Sequence, residues 1–409
     1  MTTAIVLVFF LVYLGMVLGG LPFLQLDRTG VALLGAIALI GMEAVSPGEA
    51  ARSIHLPTIL LLFSFMVVSA QLQLGGFYPW IAATLAGLPL SPAALLGAVV
   101  LVAGALSAVF SNDIVCLSVA PVLAETCSRR GLNPVPHLLA LACAANVGSA
   151  ATLIGNPQNM LIGSALQLSF GGYLAEAAVP VGLGLVVTWV VIAAQARGRW
   201  ALAEGPPSSG ETPEESAPRL DRWQSTKGLA VAGVLLLVFL FTPWPREVAA
   251  LVGAGILLMS RRMHSNKTLG LVDWELLVLF TGLFVVNHAF QRTGLVAAMV
   301  GDLEAAGVHL ERPLPLFMTT LVLSNAVSNV PAVMLLLPLA KHSLAGPLLA
   351  LASTLSGNML IVGSIANIIV VDAAARRGVR IGWRAHARVG IPVTLITLAI
   401  AGSCLAWQL

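Results

Sequence analysis

Residues 106–112 read LSAVFSN and residues 323–329 read LSNAVSN. Both keep the order Leu-Ser-x-x-x-Ser-Asn inside long apolar blocks, 217 positions apart. Hydroxyls and amides donate and accept hydrogen bonds without carrying charge, so they suit reversible capture of a small polar solute. The first copy continues as Ser111, Asn112 and Asp113, the second as Ser328, Asn329, Val330 and Pro331. Two more polar interruptions, GSAATLIGNPQN (148–159) and STLSGNMLIVGSIAN (353–367), sit in apolar surroundings. Gly155, Gly357 and Gly363 permit unusual backbone angles there. Pro157 and Pro331 remove a donor, and Pro157 disfavours helix at Asn156. A helix interrupted this way leaves N–H and C=O groups free, its N-terminal ends favouring anions and its C-terminal ends cations. Four such breaks converging would form one neutral pocket rich in donors.

Asp113 is the one carboxylate within these breaks. An ionisable group in lipid is costly and functional by default. Its counterpart at the 217 offset is Val330, and that asymmetry suits a coupling site for H⁺ or Na⁺, the alternative being a helix-capping carboxylate. Cys116, three residues on, is a candidate soft ligand for a thiophilic solute, or else a small buried hydrophobe. Asp372 with Arg376, and Glu125 with Arg129, have the spacing of surface i,i+4 pairs. Asn287 and His288 could line a pathway or simply pack. No Lys or Arg falls within the breaks, and no P-loop, zinc-protease or nucleophile-elbow pattern occurs.

Composition sets the elements that hold these residues. The chain has 409 residues, 58% hydrophobic and 10% charged, with mean hydropathy +0.94, where soluble domains carry about 25% charged residues. Surface does not vanish with size, so the solvent is lipid. Runs able to cross about 30 Å of hydrocarbon lie at roughly 4–20, 30–45, 57–75, 136–167 and 178–196. A second set lies at roughly 228–242, 247–259, 272–290, 346–371 and 390–407. Met1–Gly20 lacks a basic leader and a cleavage site and is read as the first span. Cys116, Cys127, Cys143 and Cys404 lack metal-type spacing, so neither a disulfide framework nor a metal site is expected. Residues 201–227, rich in Pro, Ser, Gly and Glu, read as a solvated linker.

If each run crosses once and each Ser-Asn block returns to its own side, sixteen of the 21 Lys and Arg fall on one side. Arg129, Arg130, Arg219 and Arg261 are among them; Arg52, Arg246, Arg292, Arg312 and Lys341 fall on the other. Positive charge marks the cytoplasm, which puts both termini outside a cytoplasmic (inner) membrane. Parity does not distinguish re-entrant hairpins from pairs of crossings. The 217 offset also pairs Phe63 with Phe280 and Pro121 with Pro338, and Gly155 and Asn159 match Gly363 and Asn367 at 208. Five crossings per half, an odd number, invert the second copy. The expected fold is an all-α polytopic membrane protein, an inverted repeat of about five crossings plus one re-entrant hairpin per half, with helices broken at the midplane. Its expected parts are an N-terminal repeat (1–200), a cytoplasmic linker (201–227) and an inverted C-terminal repeat (228–409).

NVGSAATLIGNPQNMLIG (146–163), FSND (110–113), SNVPAVMLLLP (328–338) and GSIAN (363–367) resemble motifs of the ion transporter superfamily. That group holds arsenite permeases, NhaD-type sodium/proton antiporters, the melanosomal P protein, citrate–metal carriers and divalent anion/sodium symporters. The resemblance covers nearly the whole chain. It implies a homodimer in which a scaffold domain holds a moving transport domain, an elevator-type mechanism. By position it assigns Ser111, Asn112, Asp113, Gly155, Asn156 and Asn159 to one half-site. Ser328, Asn329, Gly363, Ser364 and Asn367 fall to the other. P-protein-like members usually carry Asp-Pro-Pro-Asn where this chain has Asn156-Pro157-Gln158-Asn159, so a sodium site built on that acid loses its charge. Dicarboxylate symporters carry Ser-Asn-Thr where this chain has Ser111-Asn112-Asp113, which argues against a dicarboxylate substrate.

The expected function is a secondary active transporter, not an enzyme, for a small inorganic solute or anion. Proton-coupled efflux of arsenite or antimonite is the foremost expectation. Carboxylate or oxyanion permeation coupled to H⁺ or Na⁺, and Na⁺/H⁺ antiport, stay open. No cofactor is expected beyond H⁺ or Na⁺ as coupling ion. Expected partners are the solute, membrane lipid, a second copy and, for an arsenite pump, a separate ATPase subunit, with no nucleic acid. A channel, a receptor and an intramembrane enzyme rank below, for want of a selectivity filter, a sizeable soluble domain and paired catalytic residues.

Overall fold

The computed structural model describes residues 1–21, 24–202, 220–260 and 262–408. The first half begins with α1 (Thr2–Leu18), α2 (Arg28–Gly41), short α3 (Pro47–Ser53), α4 (Leu56–Leu74) and α5 (Phe77–Gly87). It continues with α6 (Pro92–Val109), α7 (Asn112–Arg129), α8 (Pro134–Ser149), α9 (Pro157–Ala165) and α10 (Phe170–Ala196). The second half repeats the order: α11 (Arg222–Phe241), α12 (Arg246–Leu258), short α13 (Ser265–Leu269), α14 (Trp274–Arg292) and α15 (Leu295–Ala305). Then come α16 (Pro313–Val327), α17 (Asn329–Leu336), α18 (Ala345–Ser356), α19 (Ile365–Ala375) and α20 (Trp383–Ala406). Six of these, α4, α6, α10, α11, α14 and α20, are long and apolar enough to cross a membrane.

Local chemistry sets the boundaries. Ser91, Asn133 and Asn156 cap α6, α8 and α9 with side-chain acceptors, each followed by a proline in the first turn, where the missing N–H costs nothing. Gly76 and Gly294, 218 apart, hold φ of +71° and +75° and launch α5 and α15, eleven residues each. Hydropathy misses this pair because eleven residues do not span a bilayer. Helix α11 starts at Arg222, earlier than the apolar run near 228. The Asp221 side chain accepts from the Gln224 amide at 3.1 Å, so a polar first turn still winds as helix. Of the expected linker, 203–219 lie outside the described residues, as do Arg219 and Arg261.

The halves interleave. Helix α2 packs on α14, and α4 on α12, the exchange a two-fold relation requires. Beside this group, α8 packs against both α6 and α7, α18 against α16, and α10 against α20. A Cβ on Gly148 would lie 2.3 Å from the Gly104 carbonyl oxygen, so α8 and α6 meet backbone to backbone, as small residues permit in membranes.

Both Ser-Asn blocks fold as helical hairpins. Arg130, just past α7, donates to the carbonyl oxygens of Ala86 and Leu88, which precede α6. Glu311, just before α16, pairs with Lys341, beyond α17, at 2.5 Å. Each hairpin therefore leaves and returns at one end of the molecule, with its Ser-Asn pair at the tip.

Candidate binding site

Each hairpin tip sits against a broken helix. Helix α8 stops at Ser149 and α9 restarts at Pro157, with extended Asn156 (φ −153°) accepting from the Asn159 amide at 2.9 Å. Gly155 lies in the gap. A Cβ there would come 2.3 Å from the Ser149 carbonyl oxygen and 2.7 Å from that of Ser107, so only glycine fits. The Gly155 carbonyl accepts from the Asn112 amide N–H at 3.4 Å. In the second half α18 stops at Ser356 and α19 restarts after Ser364. The Asn329 amide nitrogen would stand 3.3 Å from a Cβ on Gly357, and Asn325 Oδ1 3.4 Å from one on Gly363.

Asn146, in the last turn of α8, organises the centre. Its Oδ1 accepts from Asn112 Nδ2 at 3.0 Å and Ser364 Oγ at 2.8 Å. Its Nδ2 donates to Asn358 Oδ1 at 2.8 Å and Asn367 Oδ1 at 3.0 Å. Thr354, in α18, is the counterpart. Its Oγ1 accepts from Asn156 Nδ2 at 3.1 Å and Gln158 Nε2 at 3.2 Å, and donates to Asn159 Oδ1 at 3.3 Å. The register is consistent: Asn146 and Thr354, Asn156 and Ser364, and Asn159 and Asn367 are each 208 apart. Each half thus reaches into the other's break by the same route.

Carbonyl oxygens can only accept, and this settles the amide orientations. Asn367 Nδ2 donates to the carbonyls of Gly357 (2.8 Å) and Leu360 (3.0 Å), and Asn358 Nδ2 to that of Cys143 (3.3 Å). Their Oδ1 atoms must face Asn146, whose own Oδ1 must then face Asn112 Nδ2. What remains is Asn112 Oδ1, buried and without a protein partner. Asn329 Oδ1 is in the same state, as are Ser107 Oγ and Ser324 Oγ. These are two pairs from the repeated motif, each 217 apart. A buried polar atom left unpaired costs about 1–3 kcal/mol, and four at equivalent positions mark a place built for something else.

Of the expected residues, Asn112, Gly155, Asn156, Asn159, Ser364 and Asn367 join this network directly. Asn329 and Gly363 line it. Ser111 and Ser328 form the tips without side-chain cap bonds. Asp113 follows in the first turn of α7, half-buried, and takes part in none of the ion pairs among the described residues. Cys116 is fully buried, one turn further, outside the network. Glu125–Arg129 and Asp372–Arg376 form the expected surface pairs. Asn287 is tied to Tyr13, whose hydroxyl donates to Asn287 Oδ1 at 2.8 Å. Asn146, Gln158, Thr354 and Asn358 were not singled out from sequence. Extending the 208 register back from Asn159 and Asn367 would have paired Asn146 with Thr354.

Two apolar grooves of about 510 and 530 Å³ lie elsewhere, one beside α16 and α20 and one beside α6 and α10. Their aliphatic linings offer no solute chemistry comparable with the amide network.

A family profile described as "Citrate transporter" matches residues 5–349. The inner membrane protein YbiR of Escherichia coli is 32% identical over 374 residues, covering 90% of this chain and 93% of that protein. A silicon efflux transporter of Oryza sativa is 30% identical over 456 residues, covering 93% and 92%. A putative transporter arsB of Dictyostelium discoideum is 22% identical over 489 residues, covering 92% and 87%. Among solved structures, the YdaH transporter of Alcanivorax borkumensis aligns over 100% of this chain and 98% of its own, with TM-score 0.60 at 15% identity. The two share a fold.

Proposed function

We propose, since this chain belongs to the citrate-transporter family of membrane transporters, that it is a secondary active carrier for a small neutral hydroxylated solute, with arsenite efflux as the foremost case. The carrying observation is the chemistry of the unpartnered atoms. Asn112 Oδ1 is fixed as an acceptor by its neighbours and stands unpartnered, as does its counterpart on Asn329, so the site calls for a ligand that brings hydrogens or positive charge. Arsenous acid and silicic acid are uncharged polyols near neutral pH and supply O–H donors to such oxygens. A bare oxyanion supplies none. A tricarboxylate would need cations in a site whose breaks hold no Lys or Arg, because buried unpaired charge is heavily penalised. The names of the silicon efflux and arsB relatives point the same way.

In this reading Asp113 carries the coupled proton, one residue from Asn112 and, among the described residues, in no ion pair that would hold it ionised. Half-helix N-termini of α7, α9, α17 and α19 meet around the network and favour the electron-rich oxygens of the bound solute. The carrier works as a homodimer with an elevator-type movement, and its basic end, with Arg130 and Arg199, faces the cytoplasm. Everted vesicles test the substrate. Arsenite should accumulate inside them and be lost when the proton gradient is collapsed. Sodium-dependent uptake of an organic acid, with arsenite ignored, would replace this reading by a carboxylate symporter.

A further inference from the structure

In each half the last helix reaches back to the break. Tyr173, in the first turn of α10, donates its hydroxyl to the Ala150 carbonyl at 2.7 Å. His386, in the first turn of α20, lies 3.0 Å by Nε2 from the Asn358 carbonyl oxygen. Since that oxygen only accepts, Nε2 carries the hydrogen and donates it. Ala150 and Asn358 are 208 apart and Tyr173 and His386 are 213 apart, each in the matching place of its half. The two side chains are equivalents that differ in type.

The fit around His386 is close. Its ring is 1% exposed. One turn on, a Cβ at Gly390 would fall 2.1 Å from the Asn358 oxygen, so α20 keeps a glycine where that carbonyl enters. Between Ser356 and Ile365 the backbone lacks α-helical bonds, and in lipid its carbonyls need other donors. Asn358 and Ser364 are the residues in that gap whose side chains bond Asn146. Wherever the Asn358 carbonyl is held, its amide follows, and Asn146 in turn sets Asn112, Ser364 and Asn367.

We propose that His386 is a positioning residue: its Nε2–H bond to the Asn358 carbonyl holds the second break in register with Asn146 and so shapes the solute site from outside it. The effect on transport rests on the reading of the network as a binding site; the effect on the break does not. The bond needs one N–H at this reach, so glutamine retains it and alanine does not.

Two measurements on the purified full chain test this. By hydrogen–deuterium exchange, peptides covering 355–364 should exchange faster in His386→Ala and at close to the parent rate in His386→Gln, with peptides covering 150–156 and α4 unchanged in both. In proteoliposomes with arsenite as probe, the KM should rise about five-fold in His386→Ala, the change one hydrogen bond carries. It should stay within two-fold in His386→Gln, with Vmax preserved in both. Equal behaviour of the alanine and glutamine variants in exchange, or acceleration spread over the whole chain, would overturn the proposal. Failure of the parent protein to move arsenite would remove the substrate reading alone, and the exchange comparison would still decide the role of His386.

Discussion

Ser111 turns the first hairpin with φ −54°, whereas Ser328 turns the second with φ +78° and ψ 160°, a region that side chains rarely adopt. The Asn112 amide is bonded to Asn146; Asn329 lies beside Gly357 with its oxygen unpartnered. Helix α7 runs for 18 residues beneath α5, while α17 ends after eight residues and gives way to a 3₁₀ turn at Leu337–Leu339. Helix α15, the counterpart of α5, buries no residue. The second hairpin packs on α18 and also reaches α1 and α14. The Tyr13 hydroxyl is shared with the Pro331 carbonyl at 3.4 Å, and Asn287 Nδ2 approaches Met334 Sδ at 3.6 Å. One motif thus sits in two mechanical settings, and the tightly seated copy is the one followed by Asp113. A charge-bearing group gains from fixed surroundings, since its proton affinity is then set by geometry. The strained, lightly tied copy is suited to movement.

The sharpest way to break this contrast is at its one chemical difference. Asp113→Asn should reduce gradient-driven arsenite transport to the level of empty vesicles, with an unchanged melting temperature, and Val330→Asp added to it should restore nothing. Transport at the parent rate would take Asp113 out of the coupling. Next in size are the glycines behind the tips. Gly155→Ala meets two backbone oxygens at 2.3 and 2.7 Å, Gly363→Ala one at 2.9 Å. The first should cost about 3 kcal/mol and the second about 1 kcal/mol by unfolding in detergent, and the reverse order would contradict the tighter seating of the first hairpin. The smallest effect separates by sign. Ser328→Gly should stabilise by about 1 kcal/mol by releasing the positive φ, whereas Ser111→Gly should cost about 0.5 kcal/mol through lost backbone restriction. Changes of one sign at both tips would remove strain from the comparison.

The breaks were legible because glycine, proline and polar residues stand out in an apolar chain. Gly155, Asn156 and Pro157 announce an interruption by type alone. Asn146 was harder to see, since it lies inside a helix between Ala145 and Val147, where a lone polar residue reads as packing, and Thr354, though inside the 353–367 interruption, lies in the helix before its glycine. Tyr173 and His386 were invisible for another reason: their partners are backbone carbonyls, which every residue has. The re-entrant course of the Ser-Asn blocks stayed open to charge counting, because a hairpin and two crossings have equal parity. The meeting of each tip with a broken helix, the Asn112 amide with the Gly155 carbonyl and Asn329 with Gly357, decided it.

Sequence alone determined the lipid solvent, the inverted pairing of halves and the residues at each interruption. Those properties depend on hydropathy, spacing and local backbone chemistry, which act over a few neighbouring positions. The tertiary structure alone decided which amide meets which. Asn146 gathers partners 34, 212, 218 and 221 positions away. A hydrogen bond forms only when donor and acceptor stand about 3 Å apart and aligned, so its pairing is settled by how whole helices pack.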